Sequence, residues 1–452
     1  RTERGVGGMS VERVAPTGWD IAKLEDVVDI LDSKRVPVNA KERETRVGQV
    51  PYYGATGQVG WIDDYLFDEE LVLLGEDGAP FLEAARQKAY IIRGKSWVNN
   101  HAHVLKARSD IPNAYIKYYL DTVDYHEFVT GTTRLKLNQA AMRQIPVPLA
   151  PSEERASIVA EIEKQFSRLD EAVANLTRVK ANLKRYKAAV LKAAVEGKLT
   201  EDWRKQHPNI EPASKLLERI LAERRAKWKG RGKYKEPAKS DTSNLPTLPE
   251  RWTWTNLDQL AEVGTGATPK RGKSQYYSGG HIPWVTSSAL NKEHVDKANE
   301  FVTDVALRET NLSLYSPGTL LLAMYGEGRT RGKCSMLRIH ATTNQAIAAI
   351  QCTDEVRDYL KLAIWNQYED LRRIASGGVQ PNLNLSLVRS ITIPLPPISE
   401  QQFVVAEVER RLSVIDELEA TVEANLKRAD RLRQATLQKA FSGKLLLNGA
   451  HR

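Results

Sequence analysis

The side chains of this sequence that could do chemistry lie on glycine-rich loops. "GEGRTRGK" at Gly326–Lys333 sets arginines and a lysine among glycines. A phosphate loop of the GxxxxGK[ST] kind needs glycine at 327 and a hydroxyl residue at 334. Glu327 and Cys334 stand there instead, so both the backbone cradle and the magnesium-binding hydroxyl are missing. "GTGATP" at Gly264–Pro269 has proline where a dinucleotide fingerprint needs its third glycine, and no helical pattern follows. "HAH" at His101–His103 is half a metal site at most, and such a pair more often supplies loop or strand polarity. HExxH, GxSxG and the zinc-deaminase pattern are all absent from the sequence. So is the Asn/Asp-Pro-Pro-Tyr/Phe tetrapeptide with which adenine methyltransferases hold a flipped base. No catalytic residue and no metal site is expected from these motifs; an enzyme without a recognisable motif stays open beside the other chemistry such loops can do, which is recognition.

Recognition of nucleic acid needs cations and amides on loops, because phosphate contacts hold register and base-edge contacts specify. In the first half of the chain the candidates are Lys34, Arg35, Thr56, Gln58, Thr132, Thr133, Arg134 and Lys136. In the second half they are Thr265, Thr268, Lys270, Arg271, Lys273, Arg329, Arg331 and Gln380. Arg329 and Arg331 flank Thr330 on a glycine-bounded loop, and arginine can pair bidentately with guanine. Tyr52, Tyr53, Tyr276 and Tyr277 are expected to pack rather than stack on bases.

Charge points the same way. The 452 residues carry a net charge of +9. Between Arg224 and Lys239 stand eight Lys/Arg (Arg224, Arg225, Lys227, Lys229, Arg231, Lys233, Lys235 and Lys239) against the single acid Glu236. Such a tract suits a polyanion, and its glycines and Pro237 suit a linker; both readings stand. Two cysteines without a CxxC argue against a disulfide framework or a cysteine zinc site. Apolar runs such as "TLLLAM" at Thr319–Met324 are far shorter than the roughly 18 residues of a membrane span. The opening "RTERGVGGMS" lacks the apolar core of a signal peptide, and Met9 is a candidate start.

The loops must be held by a frame, and the sequence writes that frame twice. Aligned at an offset of 246 residues, Pro148–Leu199 and Pro394–Leu445 are identical at 19 of 52 positions. "GKL" closes both copies. Each copy starts at proline with early acids, then repeats apolar residues at 3/4 spacing, which predicts one long helix. The first seam is Ile162, Phe166, Leu169, Val173, Leu176, Leu183 and Val190; the second is Val408, Leu412, Ile415, Val422, Ala429 and Leu437. About 45 residues at ~1.5 Å rise make a rod of roughly 65 Å. Two such seams are each other's obvious partners, most simply antiparallel. The regions before them also correspond: "PTGWDIAKLEDVV" with "PERWTWTNLDQLA", and "GTTRLKLNQAAMRQIPVP" with "GGVQPNLNLSLVRSITIP". Between these, short strands alternate with glycine loops.

The expected fold is α+β: two α/β recognition domains in pseudo-twofold repeat, joined by two long helices packed as an antiparallel coiled coil. The expected boundaries are an N-terminal extension 1–15, first domain 16–147, first helix 148–199, basic linker with a short helix 200–248, second domain 249–393, second helix 394–446 and tail 447–452.

The ordered set "IPVPLAPSEE…IVAEIE", "AVLKAAVEGKLTEDWRKQHP", "YYGATGQVGWID", "TGATPKRGKSQYYSGGHIPWV", "TTNQAI", "QPNLN" and "ITIPLPPISEQ…VVAEVE" resembles the DNA-specificity (S) subunit of type I restriction–modification enzymes. The resemblance covers Pro16 to about Leu446. It implies that each domain reads one half of a split, asymmetric double-stranded DNA target, and that the helices set the gap between the halves. It further implies docking of two methyltransferase (M) subunits, with room for restriction/translocase (R) subunits. This chain would bind no cofactor itself, and S-adenosylmethionine would belong to the methyltransferases. It would be a non-catalytic protein of the bacterial or archaeal cytoplasm. Two other classes fit the residues less well: a coiled-coil adaptor that reads no DNA, and a DNA-modifying enzyme without a recognisable motif.

Overall fold

A computed structural model describes residues 15–108, 110–228, 232–325, 330–374 and 382–446. The chain divides into two compact units, one made of 1–179 with 420–452 and one of 180–419. The division cuts both long helices, so each unit takes part of each. Among the described residues no helix is long and apolar enough to cross a membrane.

In the first unit, β1 (Asp20–Lys23) pairs antiparallel with β12 (Pro146–Leu149), bringing the start of the domain beside its end. Between them β2 (Val28–Ile30), β9 (Ala102–Ala107), β6 (Leu71–Gly75) and β7 (Ala89–Ile92) form a four-stranded sheet in that order. Strand β6, "LVLLG", is buried at every position rather than at alternate ones. Successive side chains of a strand point to opposite faces, and both faces here are covered. Val72 and Leu74 pack with Tyr115, Ile116, Tyr119 and Leu120 of α1 (Asn113–Leu120). Leu71 and Leu73 pack with Phe67, Val98 and Val104. The second sheet runs β4 (Gly57–Ile62), β3 (Val50–Gly54), β8 (Lys95–Val98), β5 (Phe67–Asp68), with β3 and β8 parallel. A small hairpin, β10 (Val129–Thr130) with β11 (Lys136–Leu137), projects beside them.

The second unit repeats the plan. Strand β13 (Thr253–Asn256) pairs with β22 (Thr392–Leu395) as β1 does with β12. A five-stranded sheet is ordered β14 (Ala261–Thr265), β21 (Ile347–Cys352), β18 (Leu320–Ala323), β19 (Cys334–Leu337), β16 (His294–Val295). A smaller sheet is ordered β17 (Glu300–Val302), β15 (Ile282–Val285), β20 (Thr342–Thr343), with β15 and β20 parallel.

In the second unit α5 (Asp354–Asn366) packs on β19, its Trp365 Nε1 donating to Cys334 O at 2.8 Å. The long helices are α2 (Ser152–Val195) and α6 (Ile398–Phe441), 44 residues each. Their length matches the roughly 45 residues expected, but each starts later than the proline that opens its segment, because Pro148 belongs to β12 and Pro394 to β22. In the first unit Thr436 Oγ1 donates to Gln165 Oε1 at 2.9 Å and Arg433 pairs with Asp170. In the second, Lys187 Nζ lies 3.1 Å from Asp416 Oδ1. In the first unit residue numbers fall on α6 as they rise on α2, so the segments run antiparallel; in the second, Lys187 with Asp416 and then Thr200 and Arg204 with Glu400 give the same sense. Ile162, Leu183, Val190, Val408, Leu412, Ile415, Val422, Ala429 and Leu437 are buried. Phe166, Leu169, Val173 and Leu176 are half-buried.

The repeated "GKL" has a steric cause. Gly443 has φ +69° and a Cβ there would meet Pro16 Cβ at 2.9 Å; Gly197 has φ +70° and a Cβ would meet Pro249 Cγ at 2.6 Å. Each helix end is thus seated on the Pro-x-x-Trp that opens a domain, Trp19 in one unit and Trp252 in the other. In the second unit Glu400, fully buried, accepts from Thr200 Oγ1 (2.6 Å), Arg204 Nη1 (2.7 Å) and Trp252 Nε1 (2.8 Å). The segment after α2, for which one short helix is expected, holds two: α3 (Glu201–Gln206) and α4 (Ala213–Ala226). Leu216 and Ile220 of α4 are buried, the apolar stripe that keeps it folded.

Two substitutions test these seats. Glu400→Ala strands the Arg204 guanidinium and the Trp252 N–H, and is expected to cost about 3–5 kcal/mol in denaturant unfolding. Gly443→Ala adds left-handed strain of about 1–2 kcal/mol to the clash with Pro16, so the midpoint falls; an unchanged midpoint would show that the seat is not needed.

Candidate nucleic-acid interface

In the first unit the loops converge at one end of the four-stranded sheet. After β2 the chain makes a 3-10 turn, Asp32–Lys34. After β6 come Glu76, Asp77 and Gly78, and the β10–β11 hairpin is stitched to them. Leu137 N donates to Glu76 O at 2.8 Å and Gly78 N to Leu135 O at 2.9 Å. Glu76 N in turn donates to His101 O at 2.8 Å, just before β9. The β3–β4 turn that bears Thr56 adjoins the same end: Asn99 N donates to Tyr53 O at 3.1 Å.

Beneath this surface lies a charged network. Asp32 Oδ1 accepts from Val104 N at 2.8 Å, and Asp32 Oδ2 lies 2.6 Å from His103 Nδ1. His103 Nε2 faces Leu137 O at 2.9 Å. Arg35 Nη1 donates to Glu76 Oε2 and to Ala102 O, both at 2.7 Å, and Arg35 Nη2 lies 3.3 Å from Asp32 Oδ2. Burial alone would raise the Asp32 pKa, but the His103 hydrogen bond and charge, the Val104 N–H and the Arg35 charge together bring it below the ordinary aspartate value. Asp32, Glu76 and His103 could offer ligand atoms within 4.8 Å of one another. A guanidinium already bridges the two carboxylates, and both imidazole nitrogens are engaged, so the group is built as an ion-paired network rather than a metal centre.

This divides the predicted residues of the first unit. The Arg35 side chain is 13% exposed and its donors are spent on Asp32, Glu76 and Ala102. It frames the loops instead of projecting from them. Lys34, Thr56, Gln58, Thr132, Thr133, Arg134 and Lys136 are exposed. Arg134 Nε lies 2.6 Å from Asp77 Oδ1 and Lys136 Nζ lies 3.5 Å from Glu76 Oε1, so two carboxylates aim two cations of the hairpin.

The second unit places its loops on the equivalent strand ends. Thr265 Oγ1 donates to Ile347 O at 2.7 Å, and Thr268 Oγ1 bonds the Gln345 side-chain oxygen. Arg271 pairs with Glu300 at 2.7 Å, its guanidinium 5.0 Å from the Tyr277 ring centre and 5.1 Å from that of Trp284. Lys273 Nζ donates to Tyr276 Oη at 3.0 Å, a bond that raises the lysine pKa. Lys270 is exposed and Arg331 is half-buried on the β18–β19 hairpin. Arg329 and Gln380 lie outside the described residues. Tyr52 and Tyr276 are buried, and Tyr53 and Tyr277 half-buried.

Sequence reasoning missed Glu76, Asp77, His101 and Gln345. The signal was present, since "NNHAH" and "TTNQAI" align on Asn99 and Asn344. Asn99 Oδ1 accepts from His101 N at 2.8 Å, and Asn344 Oδ1 from Ala346 N at 3.1 Å. The residue between each pair, Asn100 or Gln345, is held out on a tight turn.

Arg35→Ala should destabilise the first unit by up to about 3 kcal/mol, because it removes the cation that bridges Asp32 and Glu76 and leaves His103 and Lys136 to hold them singly. Arg134→Ala, at an exposed position, should shift the midpoint by no more than about 0.5 kcal/mol. A lowered folded pKa for Asp32 means that its contribution is present above the unfolded value of about 3.9 and is lost as pH falls through the folded value. In acid titration, the stability gap between wild type and Asp32→Asn should therefore begin to close below about pH 4 and vanish once pH is below the folded value.

Residues 16–185 and 249–428 match the family model described as type I restriction modification DNA specificity domain. A putative type I restriction enzyme specificity subunit, S.HindORF215P of Haemophilus influenzae, is 34% identical over 136 residues, 30% of this chain and 34% of that protein. The match thus spans about a third of that relative's length. The type I restriction enzyme EcoDI specificity subunit of Escherichia coli is 24% identical over 95% of this chain and 89% of its own. A solved structure, titled for complex assembly and conformational transition of the type I R-M system, shares the fold. It aligns at TM-score 0.62 and 16% identity over 96% of this chain and 100% of that one.

Proposed function

The chain belongs to the type I restriction modification DNA specificity family, and on that premise we propose that it is the DNA sequence-recognition subunit of a type I restriction–modification complex. The observation that carries this reading is one frame used twice with different side chains at the loops. The sheets repeat the order β2-β9-β6-β7 as β14-β21-β18-β19. Where the first frame sets Asp32 against His103, the second sets Thr265 against the backbone of Ile347. Each frame reads one short block, and unlike loops read unlike blocks, so the target is bipartite and asymmetric.

Exposed Lys34, Arg134, Lys136, Lys270 and Lys273 serve phosphate and guanine contacts. Thr56, Gln58, Thr132, Thr133, Thr268 and Gln345 serve base edges. Arg35 positions the first set. Helices α2 and α6 each contribute to both units, and we assign to them the gap between the two blocks. The chain itself carries no catalytic machinery. Its partners are two methyltransferase subunits, which bring S-adenosylmethionine, with restriction subunits joining them, in the cytoplasm of a bacterial or archaeal cell.

Selection from a randomised duplex library, with the chain co-purified with its methyltransferase subunit, tests this. Two enriched blocks at fixed spacing are expected. No enrichment from an assembled complex would leave an adaptor role. Arg134→Ala in the same selection should relax or weaken the block read by the first unit, at about 1–3 kcal/mol if it reads a base, and leave the other block unchanged.

A further inference from the structure

The basic segment that follows α4 carries charge that neither the fold nor the loops use. Helix α4 largely neutralises itself. Lys215 pairs with Glu218 at 2.8 Å, Arg219 with Glu211 at 2.7 Å, and Lys227 with Glu223. Arg225 takes Glu236, and Arg224 donates to the Asp258 carbonyl. Lys233, Lys235 and Lys239 are exposed and have no carboxylate partner among the described residues.

These lysines are held in place rather than free on a tether. The Tyr234 ring, between Lys233 and Lys235, lies edge-on to Trp228 at 5.8 Å. Next to Lys239, the Ala238 carbonyl accepts from Asn256 Nδ2 at 2.9 Å. Further on, the Pro246 carbonyl accepts from Trp254 Nε1 at 3.1 Å. The segment is thus fastened to β13, the first strand of its domain, and the cost of ordering it is met during folding. That is the arrangement of a binding surface, not of a spacer chain.

We infer that Lys233, Lys235 and Lys239 form a contact for the phosphate backbone of duplex DNA outside the recognised blocks, independent of sequence. The inference rests on the DNA-recognition reading above. Lysine suits this role because its ammonium binds phosphate as a point charge, with no fixed geometry to match, and each phosphate it neutralises releases counter-ions whatever the sequence. An acidic protein partner is a poorer fit. A specific protein interface needs about 1,000 Å² and a buried apolar centre, and Trp228 is the sole large apolar side chain exposed among the described residues of this segment.

The test uses the full chain in its methyltransferase complex, with two duplexes: the selected target and a scrambled duplex of equal length. Binding is followed over a salt series. Replacing the three lysines by glutamine (Lys233→Gln, Lys235→Gln, Lys239→Gln) should lower the slope of log K against log salt by about 3. The drop should be the same on both duplexes, and the preference for target over scramble should not change. Arginine at all three positions should restore the slope, which rules out misfolding as the cause. An unchanged slope on both duplexes overturns the inference, as does loss of preference for the target. Unchanged DNA binding with loss of a subunit from the complex would assign the lysines to an acidic protein and overturn it too. If the wild-type complex fails to prefer its target, the recognition reading falls. The slope on scrambled DNA still decides the lysines.

Discussion

Everything in this structure depends on where the two long helices end. Each closes on a left-handed glycine seated against the Pro-x-x-Trp that opens a domain. In the first unit, Leu437 and Ala440 of α6 share a core with Ile162, Tyr115 and Val147. The Phe441 ring stands edge-on to Tyr115 and Tyr119 at 5.2 and 5.3 Å. In the second unit, Trp252 at the domain start meets Glu400 from the first turn of α6, and Thr200 and Arg204 from just beyond α2. The domains are therefore not self-sufficient modules strung on a chain. Each is completed by a helix end that arrives from elsewhere in the sequence, so domain stability and helix pairing are one cooperative problem.

Above that frame the candidate recognition loops stand on braced supports. The loops of the first unit are cross-braced by Asp32, Arg35, Glu76 and His103, residues brought together from three strand ends. The second unit reaches a similar surface with hydroxyls, an amide and an arginine lying against aromatic rings. Bracing matters for a reader of base edges, since discrimination requires hydrogen-bonding groups held in register. The strands supply the position and the loop residues supply the content, so content can vary while the frame is kept.

The frame was legible in the sequence and the bracing was not. The seam from Ile162 to Val190 and its copy from Val408 to Leu437 showed through periodicity, a local property that any window along the chain reveals. The proline strands and the "GKL" ends showed through repetition. Asp32, by contrast, meets His103 and Gln139, 71 and 107 residues away, and nothing local marks those meetings. Arg35 was legible as a cation on a loop, but its partners lay across strands whose register only the folded sheet fixes. The same reason hid Glu76 and Asp77: an acid beside a basic loop looks like a liability until its geometry shows it aiming the cations.

The ion pairs between the helices have an evolutionary meaning. Asp170 meets Arg433 in one unit, and Asp416 meets Lys187 in the other. In the duplicated sequence Asp170 and Asp416 hold the same place, as do Lys187 and Arg433. A contact in which residue i of one copy meets j of the other, while j meets i, is the signature of an isologous interface between identical subunits. The molecule retains inside one chain the handshake of a homodimer. With both copies on one chain, the loops of each half can change separately while the repeated contact is kept.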